Sequence, residues 1–165
     1  MRKWVFVLSL AAVLLIGSAV ATPIRGTIVA DTARGGLTEP LKFNRKFGAS
    51  KPASVKLQTK GAIEVVTQRI EASPGSSFGW HTHPGDTIVV VQQGTLTLYH
   101  DEHCTMGTDY GPGTAFPNRQ EEVHLARNNS ATQKLVVFAT YFFHKTSPPV
   151  PVRIDEPSPG TGCPE

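Results

Sequence analysis

His81 and His83, separated only by Thr82, are the residues of this 165-residue chain best placed to do chemistry. On an extended strand, residues two apart share a face and lie roughly 6.5–7 Å apart. Both imidazoles can therefore turn to one ion at about 2.0–2.1 Å from nitrogen. Two imidazoles do not complete a site, so a third ligand must come from elsewhere. His124 is the best candidate: it would share a strand face with Glu122 and Ala126, just after the turn-rich stretch Pro117 to Gln120. Three neutral imidazoles suit a divalent transition metal, Fe, Mn, Zn, Ni or Cu. Acid should strip such an ion once free histidines begin to take up protons, near pH 6.5 and below by the ordinary value of about 6.5. His100, His103 and His144 have no comparable partners and read as surface or core imidazoles. Phe78 and Trp80 stand at opposite parity to His81 and His83, which places them on the reverse face of the strand.

The elements that must position these side chains read as β throughout. Thr27 to Ala30 and Val55 to Leu57 suggest short edge strands, within an N-terminal extension spanning residues 22–61. Ala62 to Ile70 is β-branched and partly alternating, and Ser73-Pro74-Gly75-Ser76 is a turn. Thr87 to Val91 reads as a buried strand bounded by Gly94, Thr95 to Tyr99 alternates Thr with Leu, and Lys134 to Phe143 is a long β-branched and aromatic run. No segment outside the N-terminus keeps a helical period, and no internal repeat is present. Strands recurring between turns over residues 62–146 indicate an all-β sandwich or small barrel. Six prolines between residues 148 and 164 argue against regular pairing in residues 147–165, leaving an extended tail.

Two spaced motifs in this region resemble those of the cupin superfamily. Gly75-x5-His81-x-His83 fits the start of the first cupin motif, and Gly94 falls where its closing glycine stands. Gly111-x5-Pro117 and His124-x3-Asn128 fit the second. The resemblance covers about Ala62 to Phe143. It implies a cupin-type antiparallel β-barrel, or jelly roll, with metal ligands pointing into its mouth, and often a homodimer. Three departures matter: Thr87 replaces the glutamate ligand, Arg119 replaces a glycine, and two extra residues precede His124. The site would carry one negative charge less, with open positions for water or an anionic ligand. Asp86 and Glu122 lie close enough in sequence to restore an oxygen ligand if the backbone turns suitably, and otherwise are solvated loop carboxylates.

Residues 1–21 have the pattern of an export signal peptide: Arg2 and Lys3, an apolar core from Trp4 to Ile16, and an Ala19-Val20-Ala21 cleavage motif. An uncleaved anchor is the competing reading. Cleavage would take the 16 basic residues to 14, against 13 acidic, leaving a secreted or extracytoplasmic protein without stable membrane insertion. So small a positive balance provides nothing to neutralise a row of phosphates, which argues against nucleic-acid binding. In an exported chain the only two cysteines, Cys104 and Cys163, suggest a disulfide, the alternative being two buried thiols. Asn128-Asn129-Ser130 forms a glycosylation sequon. Two functional classes survive. One is a metal-dependent enzyme, a dioxygenase-like oxidoreductase acting on a small molecule. The other is a non-catalytic exported module that holds a small-molecule ligand with or without metal, and the three histidines at motif spacing favour a metal-binding cupin with no assigned catalysis.

Overall fold

The computed structural model describes residues 21–48 and 53–165, so most of the signal-like segment lies outside the described residues. No helix among the described residues is long and apolar enough to cross a membrane. The strands are β1 (Ile28–Gly36), β2 (Lys42–Phe47), β3 (Ala53–Gln58), β4 (Ile63–Ala72), β5 (Ser77–Thr82), β6 (Thr87–Gln93), β7 (Leu96–His100), β8 (Thr108–Tyr110), β9 (Ala115–Asn118), β10 (His124–Arg127), β11 (Leu135–His144) and β12 (Ile154–Asp155). They build two five-stranded antiparallel sheets, ordered β1-β4-β11-β6-β9 and β12-β5-β10-β7-β8, and a separate exposed hairpin, β2-β3.

The period-two alternation of β6 puts Thr87, Val89 and Val91 inside and leaves Ile88 and Val90 exposed. β11 is buried along most of its length because it lies between β4 and β6 in mid-sheet. The core fills the space between the sheets, with Val66, Ile70, Val89, Val91, Val137, Ala139 and Phe143 from one side and Leu96, Leu98 and Ala126 from the other. Burying each large aliphatic side chain contributes about 1.5–3 kcal/mol.

The expected closed barrel is not formed: the two sheets stay separate ladders, joined among the described residues by isolated bridges such as Arg25–Ser77. The edge strands explain this. β9 carries Pro117, and β12 is two residues long between Pro151 and Pro157, so neither edge offers an unbroken row of donors to a further strand.

Two further elements differ from the pattern read in the sequence. β1 is far longer than Thr27 to Ala30 and pairs with β4 along its whole length. The tail, despite its prolines, places Ile154 and Asp155 opposite Thr82 and His81. The Cys104–Cys163 disulfide, with Cα atoms 5.1 Å apart, ties the chain end to the turn after β7. Trp80, wholly buried, donates its indole N–H to the carbonyl of Pro164 at 2.8 Å, so the tail covers the outer face of β5.

A candidate metal centre between the two sheets

His81, the penultimate residue of β5, is the direct register partner of His124 at the start of β10, which explains how two residues 43 positions apart in sequence become neighbours. His83 lies just beyond β5 on the same side. The potential ligand atoms of all three rings lie within 4.8 Å of one another, and all three residues are buried. Ring centroids are 4.3 Å apart for His81 and His124, 5.0 Å for His81 and His83, and 5.1 Å for His83 and His124.

Each ring is held by the same device. The Nδ1–H of His81 donates to the Gly79 carbonyl at 2.8 Å, that of His83 to Val152 at 2.6 Å, and that of His124 to Glu122 at 2.8 Å. A carbonyl can only accept, so the proton of each neutral ring sits on Nδ1 and the lone pair on Nε2. Burial pushes all three rings toward the neutral form. His81 is held well below the usual histidine range by burial first, and then by the charges of His124, Arg153 and His83, against the Gly79 carbonyl. Burial lowers His83 to about 4. His124 falls to about 3, from burial and then the His83 charge. Three buried, neutral, pre-oriented imidazoles fit a divalent transition metal, and their Nε2 atoms would hold it.

The side chains around the histidines differ in part from those marked in the sequence. Thr87 is buried on the inward parity of β6, but its hydroxyl points back to the Gly85 carbonyl at 3.4 Å. Opposite it in register stands Asn118, whose amide nitrogen lies 3.3 Å from His124 Nε2 and whose buried Oδ1 has no partner. Asp86 accepts the backbone N–H of Gln120 at 3.0 Å, and the Glu122 carboxylate accepts that of Arg119 at 3.1 Å. Neither carboxylate lines the histidine cavity; Glu122 serves the site through its carbonyl. The two residues added before His124 are absorbed in a turn where Glu121 has φ of 60° and donates its N–H to the His83 carbonyl at 3.0 Å.

Phe78 lines the cavity with His81 and His83 and does not pack on the reverse face. Gly79, at φ of 70°, interrupts the alternation of β5, and the register with β10 slips there, so Phe78 turns inward while Trp80 stays outside. A Cβ at Gly79 would come within 2.4 Å of the Thr22 carbonyl, so only glycine fits. Asn128 of the sequon is fully buried and its amide donates to the carbonyls of Ala72, Ser73 and Gln133, which leaves no room for a glycan on that nitrogen in this fold. Its role is to clamp the turns below the site.

Sequence reasoning missed Asn118, Tyr141 and Arg153. Tyr141 packs 5.1 Å from the His83 ring and donates its hydroxyl proton to Gln68 at 3.0 Å, and burial raises its pKa so that it stays protonated. Its place inside β11 was readable as core but not as site. A small inner cavity of about 50 Å³ holds all three histidines and Asn118. A larger one of about 330 Å³ shares His81, His83, Phe78 and Tyr141 and opens toward the tail. Among the described residues, no Asp or Glu lines either cavity.

Residues 68–141 match the family model described as Cupin domain. This supports the cupin superfamily for that segment. No curated relative matches the chain significantly. Solved structures similar to it include the polyketide cyclase RemF from Streptomyces resistomycificus, at 22% identity and TM-score 0.42, covering 47% of this chain and 53% of that one. This chain thus spans about half the length of the cyclase. A cupin-like protein from Thermotoga maritima matches at 16% identity and TM-score 0.47, over 62% of this chain and 81% of that one. A predicted oxalate decarboxylase from the same organism matches at 20% identity and TM-score 0.41, over 52% of this chain and 84% of that one.

Proposed function

We propose that this chain is an extracytoplasmic cupin-type protein that holds one divalent transition metal on the Nε2 atoms of His81, His83 and His124 and receives a small-molecule ligand beside it. The observation that carries this reading is the uniform commitment of all three Nδ1–H groups to backbone carbonyls, which leaves the Nε2 lone pairs as the ligating atoms of three rings whose candidate ligand atoms lie within 4.8 Å of one another. Bound there, a metal would act as a Lewis acid with positions left for ligand oxygen or nitrogen. The protein's part is to keep the rings neutral, exclude water with the apolar cavity wall, and present the ligand. The signal-like start and the disulfide support a place outside the cytoplasm.

Among the described residues the cavity walls offer no carboxylate for general acid or base work, and Tyr141 keeps its proton. These features favour binding, or chemistry supplied by the metal itself, over hydrolysis by side chains. Metal analysis of the purified mature protein tests the proposal. The expected result is about one equivalent of metal, retained through dialysis and lost in a His81→Ala, His124→Ala double variant. Failure to retain Fe(II), Mn(II), Zn(II), Ni(II) or Cu(II) under anaerobic loading would leave the metal-free module as the function.

A further inference from the structure

Arg153 belongs to the proline-rich tail, yet it forms part of the wall of the larger cavity together with His81, His83 and Tyr141. Its Nε is tied to the Asp155 carboxylate, which is itself largely exposed. Both terminal nitrogens, Nη1 and Nη2, are buried and have no hydrogen-bond partner. A guanidinium carries five N–H donors in a planar fork, and leaving charged donors desolvated and unpaired is costly. A fold does not hold such a group against an apolar wall of Ile24, Ile28 and Phe78 unless something else completes it.

We propose that Arg153 is the anchor for the carboxylate of a small, apolar-bodied organic acid that occupies the cavity of about 330 Å³ beside the three histidines. Charge and shape agree on this class. No Asp or Glu lines the cavity among the described residues, so the two partnerless nitrogens of the fork, with any metal, face it with no acceptor of the wall's own. The planar fork matches a carboxylate through two parallel N–H···O bonds. The wall contributed by Ile24, Ile28, Ile70 and Phe78 suits an aliphatic or aromatic body, whereas a tetrahedral phosphate would find only one cationic side chain and few further donors.

The tail is built to deliver this group. β12 pairs with the end of β5, the Val152 carbonyl fixes the His83 ring, and Arg34 holds the Val150 carbonyl at 3.0 Å. The residue that orients the His83 ring and the residue that takes the acid are therefore neighbours in sequence, so one strap serves both the histidine cluster and the anchor.

The proposal deepens the metal-binding reading and rests on it only for what the far end of the acid faces. Calorimetric titration of benzoate and hexanoate into metal-loaded protein, with benzamide, hexanamide and inorganic phosphate as controls, tests it. At least one acid should bind at least tenfold more tightly than its amide and than phosphate. Arg153→Gln should abolish that preference and Arg153→Lys retain part of it, with metal content unchanged in both. In metal-free protein Arg153→Met should hold or raise Tm, since it removes two buried donors that have no partner and leaves behind only the exposed Asp155 carboxylate, and the acid should raise the Tm of the wild type but not of the variant. Equal affinity for acid and amide, tighter phosphate binding, or acid binding that survives Arg153→Gln would overturn the assignment. A protein that retains no metal but still prefers the acid in an Arg153-dependent way would refute the metal reading and leave the anchor standing.

Discussion

His81 and His124 are direct partners across the β5–β10 ladder, with their ring centroids 4.3 Å apart. A backbone register, rather than a flexible loop, therefore sets the distance between two of the three imidazoles, and the site is organised before any ion arrives. Pre-organisation of this kind makes each ring count. Loss of even an outer partner of a metal ligand costs about 10–100-fold in affinity, so His81→Ala, His83→Ala or His124→Ala should each lower it by more than about 100-fold. Competition titration against a chelator of known affinity would read this out. His100→Ala and His103→Ala should change little; a loss comparable to that of His124→Ala would mean the ligand set has been drawn wrongly.

The depressed histidines also set the acid behaviour. In the unfolded chain these rings take up protons near the ordinary value of about 6.5. In the folded chain His83 does so only near 4 and His124 near 3. Between those limits the unfolded state binds more protons, so the stability of the metal-free protein is full above the unfolded value and falls as pH drops through this window. Urea midpoints at pH 7.5 and 4.5 should differ accordingly, and His83→Gln, His124→Gln should flatten the difference. Metal should persist well below pH 6.5, the point at which exposed imidazoles would release it, and leave as pH approaches 4. Release centred on pH 6.5 would show that the rings are solvated.

The disulfide holds the strap that carries Val152 and Arg153. Closing a loop across a sequence separation of 59 contributes about 4 kcal/mol in the chain-entropy model. Reduction, or Cys104→Ser with Cys163→Ser, should lower Tm by about 10 °C. It should also weaken metal binding by less than about tenfold, because His83 loses part of its support while His81 and His124 keep their ladder. If reduced protein binds metal as oxidised protein does, the strap and the site are independent.

The clustering of His81, His83 and His124 was legible because His-x-His at a strand end and a third histidine at motif spacing follow a periodicity of two, which survives in the structure. It could not show what depends on breaking that periodicity. Phe78 turns inward only because Gly79 takes φ of 70° and shifts the register, and no alternation count registers a bulge. The tail strand escaped for a similar reason: prolines at 151 and 157 argue against pairing, yet the two residues needed, Ile154 and Asp155, lie between them. Arg153 and Asn118 reach the site through tertiary contacts at positions with no local signal. The glutamate position of the motif led to Thr87, whereas the polar group that approaches His124 sits across the ladder from it.

That cross-ladder exchange gives the sharpest test of the site's chemistry. The Asn118 Oδ1 is buried without a partner, and its amide nitrogen stands 3.3 Å from His124 Nε2. An amide contributes a neutral oxygen at most. Asn118→Asp would supply the negative charge that Thr87 does not, at nearly unchanged volume. In the metal-free protein that carboxylate is buried without a cation, so Tm should fall; with metal bound it is compensated, so affinity should rise by about tenfold and the metal-induced gain in Tm should exceed that of the wild type. Asn118→Leu should do the reverse, removing an unpaired polar atom, holding or raising Tm without metal, and lowering affinity several-fold. Scanning calorimetry with and without metal, together with chelator competition, distinguishes the two. If Asn118→Asp binds metal no better than Asn118→Leu, Asn118 does not face the ion and its orphaned oxygen needs another explanation.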